Sequence, residues 1–138
     1  MEFDKSKYSE TQFVFLEQNV KLPSSFAIIT AEYPHHKDGT SKIENIIRNN
    51  NLKHDLIQNG YDFNSVLGCS EDFEEHCEFS YIIEIKDFNI ACDIGLKHEQ
   101  ESIFFVKDGN LYYSDCQKET RKLIKIGLFS NRISQFNF

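Results

Sequence analysis

Apolar positions along this chain come in short bursts separated by polar punctuation, and the bursts change period. Residues 11–16, Thr-Gln-Phe-Val-Phe-Leu, are aromatic and β-branched, which suits a strand. Ser9 and Gln12 also fit a helix capping box, and the strand reading is preferred. Residues 26–30 form an apolar run that Pro34 brings to an end, as a buried strand would. Ser41 and Glu44 then fit a capping box. Ile43, Ile46, Ile47, Leu52 and Leu56 follow at roughly helical spacing as far as Gly60, which suits the left-handed position after a helix. The spacing predicts a helix of about 18 residues.

The period then returns to two. Residues 63–67 read as a strand ending at Gly68, residues 69–77 as an acidic loop, and residues 79–85 as a further strand. Asp87 can cap a short helix over 88–98 with Ile90, Ala91 and Ile94 inward. Residues 102–106 are an apolar strand. Asp108-Gly109 is a hairpin turn leading into 111–113. Leu123, Ile124 and Ile126 mark a last strand in a basic segment. The order β-β-α-β-β-α-β-β-β implies an α+β fold: a mostly antiparallel sheet, open to a mixed pairing, with two helices packed on one face. Length fits a single domain over 1–138, with residues 1–8 read as a frayed end.

Charge narrows the function classes. A net charge of −7, from 15 basic and 22 acidic residues, disfavours nucleic acid as a partner, because neutralising phosphates needs clustered Lys and Arg. The charge is uneven. Glu71, Asp72, Glu74, Glu75 and Glu78 form an acidic run, while Lys118, Arg121, Lys122, Lys125 and Arg132 make the C-terminal segment basic. Two solvated faces are the simpler reading and a partner surface the sharper one. No apolar run is long enough for a membrane span, and the N-terminus lacks an apolar signal core. A cytoplasmic location follows as the expectation, with Cys69, Cys77, Cys92 and Cys116 reduced.

Motifs for specific chemistry are thin, and no cofactor is implied. There is no C-x-x-C, and the adjacent His35 and His36 would point apart on regular structure. His76-x-Glu78 has the spacing of zinc deaminases without their second cysteine motif. A Cys69 or Cys77 nucleophile beside His76 would have acidic neighbours that raise its pKa. Glu99-x-Glu101 has the spacing used in ADP-ribosyl transfer, but Arg48 falls on a helix rather than a strand.

A convergent polar set is the stronger candidate. Thr30 and Glu32 sit at a strand end, and Asn45, Arg48 and Asn49 share one helix face. Glu78 and Ser80 begin a strand, and Gln100, Glu101 and Ser102 begin another. These ends can meet at one cleft, where Arg48 would clamp a carboxylate or phosphate and Glu78 or Glu101 would orient it. The competing reading is an interior network in which the same residues tie loops to backbone.

Several motifs occur together in order: residues 28–34 (Ile-Ile-Thr-Ala-Glu-Tyr-Pro), Glu44-Asn45 with Arg48-Asn49, Gly60-Tyr61, Gly68, Glu78-Phe79-Ser80 and residues 100–104 (Gln-Glu-Ser-Ile-Phe). This arrangement resembles the bacterial and phage family catalogued as domain of unknown function 3293, over about residues 11–115. Tyr33 departs from the Asn usual before that proline, and the 69–77 loop looks particular to this chain. The resemblance implies that the polar set accompanies the fold; it implies no reaction. The leading expectation is a small-molecule or nucleotide-type binding domain with a small anionic ligand. The alternatives are a protein-interaction or accessory module of bacterial or phage origin acting on a partner protein through the acidic loop, and an enzyme of unknown class using Glu78 or Glu101 as acid or base.

Overall fold

The structure, a computed structural model, describes residues 11–17, 20–32, 42–69 and 77–135. Its strands are β1 (Gln12–Phe15), β2 (Ser25–Ile29), β3 (Phe63–Cys69), β4 (Cys77–Glu84), β5 (Ser102–Lys107), β6 (Asn110–Asp115), β7 (Ile124–Leu128) and β8 (Ile133–Gln135). The helices are α1 (Lys42–Gln58) and α2 (Phe88–Lys97), and a short 3₁₀ turn, Phe129–Arg132, joins the last two strands. The α+β class is as the sequence implies. The described C-terminal segment holds two strands where one was expected. All eight strands form one sheet in the order β7-β6-β5-β2-β4-β3-β1-β8. Its pairings are antiparallel apart from β1 with β8, which is parallel.

Chain length forces this sheet to curl. The strands β7 and β8 lie at opposite edges, seven spacings apart, which in a flat sheet is on the order of 34 Å. Only five Cα–Cα steps connect Leu128 to Ile133, a reach of at most about 18 Å. The edges must therefore approach, and the sheet rolls into an open barrel. Ring contacts agree. Phe13 of β1 lies 5.1 Å from Phe104 of β5, although four spacings separate those strands along the sheet. Arg132 bridges the seam, donating to Thr11 O (3.3 Å) beside β1 and to Ile126 O (3.1 Å) in β7.

Alternation along the strands fills both faces. The concave face carries Phe13, Phe26, Ile28, Val66, Ile82, Val106 and Leu111 around Phe129. The opposite face carries Ala27, Ile29, Tyr81, Ile83, Ile103 and Phe105, packed on Leu52 and Leu56 of α1 and on Ala91 and Cys92 of α2. Burial on two sides explains why β2, β4 and β5 read as nearly continuous apolar runs.

Three expectations change at this level. Ile43, Ile46 and Ile47 are exposed (70%, 59% and 53%) instead of lining the core side of α1. The helix turns Asn49, Leu52 and Leu56 inward, and Asn45 and Arg48 continue that stripe at i, i+3 and i+4 spacing. In α2, Ile90 is exposed while Ala91, Cys92 and Gly95 face inward. A Cβ at Gly95 would lie 2.8 Å from Cys116 Sγ and 2.9 Å from Ile103 Cγ2, so only glycine allows this approach. Cys69 and Cys77 are joined in a disulfide rather than reduced. The β3–β4 register sets them face to face with Cα atoms 4.0 Å apart, a juxtaposition invisible in their spacing along the chain. Other local signals hold. The Asp87 side chain caps α2 by accepting from Asn89 N at 2.8 Å. Gly60 (φ 75°) and the Asp108-Gly109 pair (φ 51° and 81°) occupy left-handed backbone.

Candidate functional site

Where β2 ends, its backbone leaves the sheet and needs new hydrogen-bond partners, and the polar flank of α1 supplies them. Ala31 N donates to Asn49 Oδ1 at 2.9 Å. Arg48 Nε donates to Ala31 O at 2.6 Å, Nη2 to His98 O at 2.9 Å and Nη1 to Glu99 Oε1 at 3.1 Å. Thr30 Oγ1 donates to Phe79 O at 2.7 Å and accepts from Glu32 N at 3.1 Å. The Glu32 carboxylate accepts from Phe79 N at 2.6 Å and from Asn45 Nδ2 at 3.5 Å. Gln100 Nε2 donates to Glu32 O at 2.8 Å and to His98 O at 3.2 Å. Thr30, Glu32, Asn45, Arg48, Asn49 and Gln100 thus do converge, and they knit β2, α1, β4 and the turn after α2 together.

The remaining candidates stand apart. Ser80 is buried and donates weakly to Glu78 O at 3.4 Å. Glu78 is half-buried in β4, and Ser102 pairs with Asp115 in the β5–β6 ladder. Glu101 is exposed; its carbonyl accepts from Cys116 N. The Arg48 guanidinium, expected to clamp a ligand, bonds two backbone carbonyls and Glu99.

Beside this network lies a cleft of about 630 Å³ between α1 and strands β3 and β4. Its aromatic wall is Phe63, Phe79 and Tyr81, with Tyr81 edge-to-face against both rings at 5.4 and 5.3 Å. The α1 wall presents Lys42, Asn45, Ile46, Asn49, Asn50 and Lys53 along one flank, and Asn64, Ser65, Glu17 and Glu32 complete the lining. Burial pushes the Tyr81 hydroxyl above its usual pKa, so it stays protonated and donates to Asn49 O at 3.4 Å. Sequence reasoning missed the aromatic wall and both lysines. The Phe79-x-Tyr81 alternation was its available signal, but placing Phe63 and Ser65 on the same wall needs the β3–β4 register.

Arg48 faces a second hollow, lined also by Asp55, Lys97 and His98. There Asp55 Oδ2 accepts from Lys97 Nζ at 2.9 Å and meets His98 Nε2 at 2.8 Å. The Lys97 hydrogen bond, reinforced by His98, holds the Asp55 carboxyl below its ordinary value against a smaller opposing effect of burial. Cys92 and Cys116 are fully buried; their mutual hydrogen bond, with burial, drives the Cys116 thiol far up. They form a packed pair without access for a substrate. No group of three or more His, Cys, Asp or Glu suited to a metal occurs among the described residues, and His35, His36 and His76 lie outside them. None of the described helices is long and apolar enough to cross a membrane. Comparison with family models, with curated proteins and with solved structures finds no match to this chain.

Proposed function

We propose that this chain is a small-molecule binding domain whose ligand site is the cleft between α1 and strands β3 and β4. The observation that carries this reading is an aromatic wall of Phe63, Phe79 and Tyr81 facing the amides and lysines of one helix flank across about 630 Å³. Ligand sites are typically concave, mainly apolar and furnished with a few placed polar groups, in volumes of roughly 300–1,000 Å³. The Arg48–Glu32 network supports this by anchoring the α1 wall to the sheet through a set of mostly part-buried hydrogen bonds. The reading moves the ligand from Arg48 to the other flank of the same helix.

Catalysis has less support, because neither Glu78 nor Glu101 lines the cleft and both Glu32 oxygens accept protein hydrogen bonds. The accessory-module reading depends on the acidic loop, whose residues 70–76 lie outside the described residues. A cytoplasmic location and membership of the domain of unknown function 3293 family belong to the same proposal, the latter on the motifs at residues 28–34, 44–49, 78–80 and 100–104. In a reducing compartment the Cys69–Cys77 pair would open, leaving the hairpin to its backbone ladder.

Thermal-shift screening with a metabolite library tests the reading. Ligands should raise the melting temperature of the wild type and leave Ser65→Trp unmoved, since the added bulk would fill the cleft from β3. Hits that stabilise both proteins equally would place binding elsewhere.

A further inference from the structure

Among the described residues, the cleft wall includes a buried side chain whose hydrogen-bonding capacity the protein leaves partly unused. Asn49 is only 7% exposed, and its side chain lies on the α1 wall. Its Oδ1 accepts from the Ala31 backbone N–H, and that bond fixes which end of the amide is oxygen. Nδ2 then carries two N–H donors with no acceptor among the described residues. Buried donors in native proteins nearly always find partners, and an orphaned one costs free energy on folding. An amide on the cleft wall, held in place by its oxygen and with its two N–H donors unspent, is arranged to meet an acceptor that arrives from outside.

Two further features restrict what that acceptor belongs to. The facing wall is aromatic, with Phe63 and Phe79 each edge-to-face against Tyr81, and such rings offer faces and edges on which a planar ring can stack or pack edge-on. Lys42 and Lys53 flank Asn49 on the same helix edge, seven residues before it and four after. At 1.5 Å rise per residue this puts cations about 10 Å and about 6 Å from Asn49 along the axis. That range spans the separation between a ring carbonyl and a phosphate in one small molecule.

We propose that the cleft takes a flat, carbonyl-bearing ring that carries an anionic group, the chemistry of a nucleobase monophosphate, with Asn49 Nδ2 reading the carbonyl. This rests on the cleft being the ligand site. Asn49 is then the residue that sets specificity, and Lys42 or Lys53 supplies the charge.

Titration calorimetry on the full chain separates the parts. The probes are uridine and inosine monophosphates, phenyl phosphate (ring and anion, no acceptor), uridine (ring and acceptor, no anion) and inorganic phosphate. A nucleoside monophosphate should bind at least tenfold more tightly than phenyl phosphate and than uridine. Equal affinity for phenyl phosphate would overturn the Asn49 role, and equal affinity for uridine the anion role. Asn49→Asp keeps the oxygen for Ala31 N and removes the donor, so it should cost the monophosphates about tenfold and bring them level with phenyl phosphate. Should Asn49→Asp fail to fold, Lys42→Gln and Lys53→Gln carry the test: at least one must weaken monophosphate binding about tenfold, and two unaffected variants would overturn the proposal. If none of these probes binds while a library ligand is still blocked by Ser65→Trp, the ring-and-anion chemistry is wrong and the cleft reading stands. If no ligand distinguishes Ser65→Trp from wild type, the cleft reading itself falls.

Discussion

Arg48 places its guanidinium between three acceptors on two separate turns: Ala31 O at the end of β2, and His98 O with Glu99 Oε1 after α2. Only a planar fork reaches all three at once, so Arg48→Lys is expected to rescue little of the loss seen in Arg48→Ala. With the side chain 15% exposed, that loss should be about 2 kcal/mol, measured by urea unfolding, because Ala31 O and His98 O each lose a charged donor and only His98 O keeps another, from Gln100. A lysine variant as stable as wild type would show that charge alone is what matters there. Asp55, about two helical turns further along α1, provides a pH readout. Its folded pKa lies below the ordinary 3.8, so it stabilises the fold above that value and the benefit disappears as pH falls through the lower folded pKa. The melting temperature of the wild type should therefore drop more steeply below about pH 4 than that of Asp55→Asn. Parallel acid limbs for the two proteins would count against the Lys97–Asp55–His98 cluster as a stabilising tie.

At the level of elements, α1 shows why its existence was legible and its orientation was not. The capping box, the apolar recurrence and Gly60 mark a helix from either side, and those signals are local. Which side faces inward depends on what the rest of the chain offers. Four isoleucines, Ile43, Ile46, Ile47 and Ile57, compete with the 45-48-49-52-56 stripe, and isoleucine content alone favours the wrong side. The decision falls to Leu52 and Leu56 in the core together with the Asn45, Arg48 and Asn49 bonds to the departing β2 backbone. The same logic hid the aromatic cleft wall, which exists only through cross-strand register. The orientation has a direct test. Leu52→Ala and Leu56→Ala should each cost roughly 2–5 kcal/mol, while Ile47→Gln and Ile43→Gln should change stability by less than about 0.5 kcal/mol. Comparable losses at Ile47 and Leu52, by denaturant midpoint, would mean that α1 is rotated from the arrangement described. In α2, Gly95→Ala should cost about 1–3 kcal/mol, since the new methyl meets Cys116 Sγ and Ile103 Cγ2 below van der Waals distance.

For the molecule as a whole, the last described residues decide the shape. A sheet with this strand order could lie open if its final strand stopped at β7, and nothing in the apolar pattern announces that three residues beyond a short turn will pair with β1. That pairing is between segments more than a hundred residues apart, joined by parallel bonds over Phe13–Phe15, so no local periodicity records it. What the sequence does show is Phe129, an aromatic that follows Leu128 and precedes the polar Ser130-Asn131. In the fold it is 3% exposed and packs against Phe13, Phe15 and Phe26 at 5.5, 6.4 and 5.2 Å, which are rings from different regions of the sheet. Phe129 therefore acts as the plug that makes curling favourable, and Arg132 acts as the clasp on the seam. Phe129→Ala should cost about 3–5 kcal/mol, because a ring buried by three others leaves a cavity that strands on both sides must collapse to fill. Arg132→Ala should cost less, about 1–2 kcal/mol, since its two carbonyl acceptors sit at a seam that water can reach. The two differ in where they act. Hydrogen exchange in Arg132→Ala should rise in β1 and β8 while β2, β4 and β5 stay protected, as expected for opening of the seam alone. In Phe129→Ala the protection of the central strands should fall as well. If both variants lost protection uniformly, the barrel would be opening as one cooperative unit, and the seam would have no separate role in holding the cleft side of the sheet in shape.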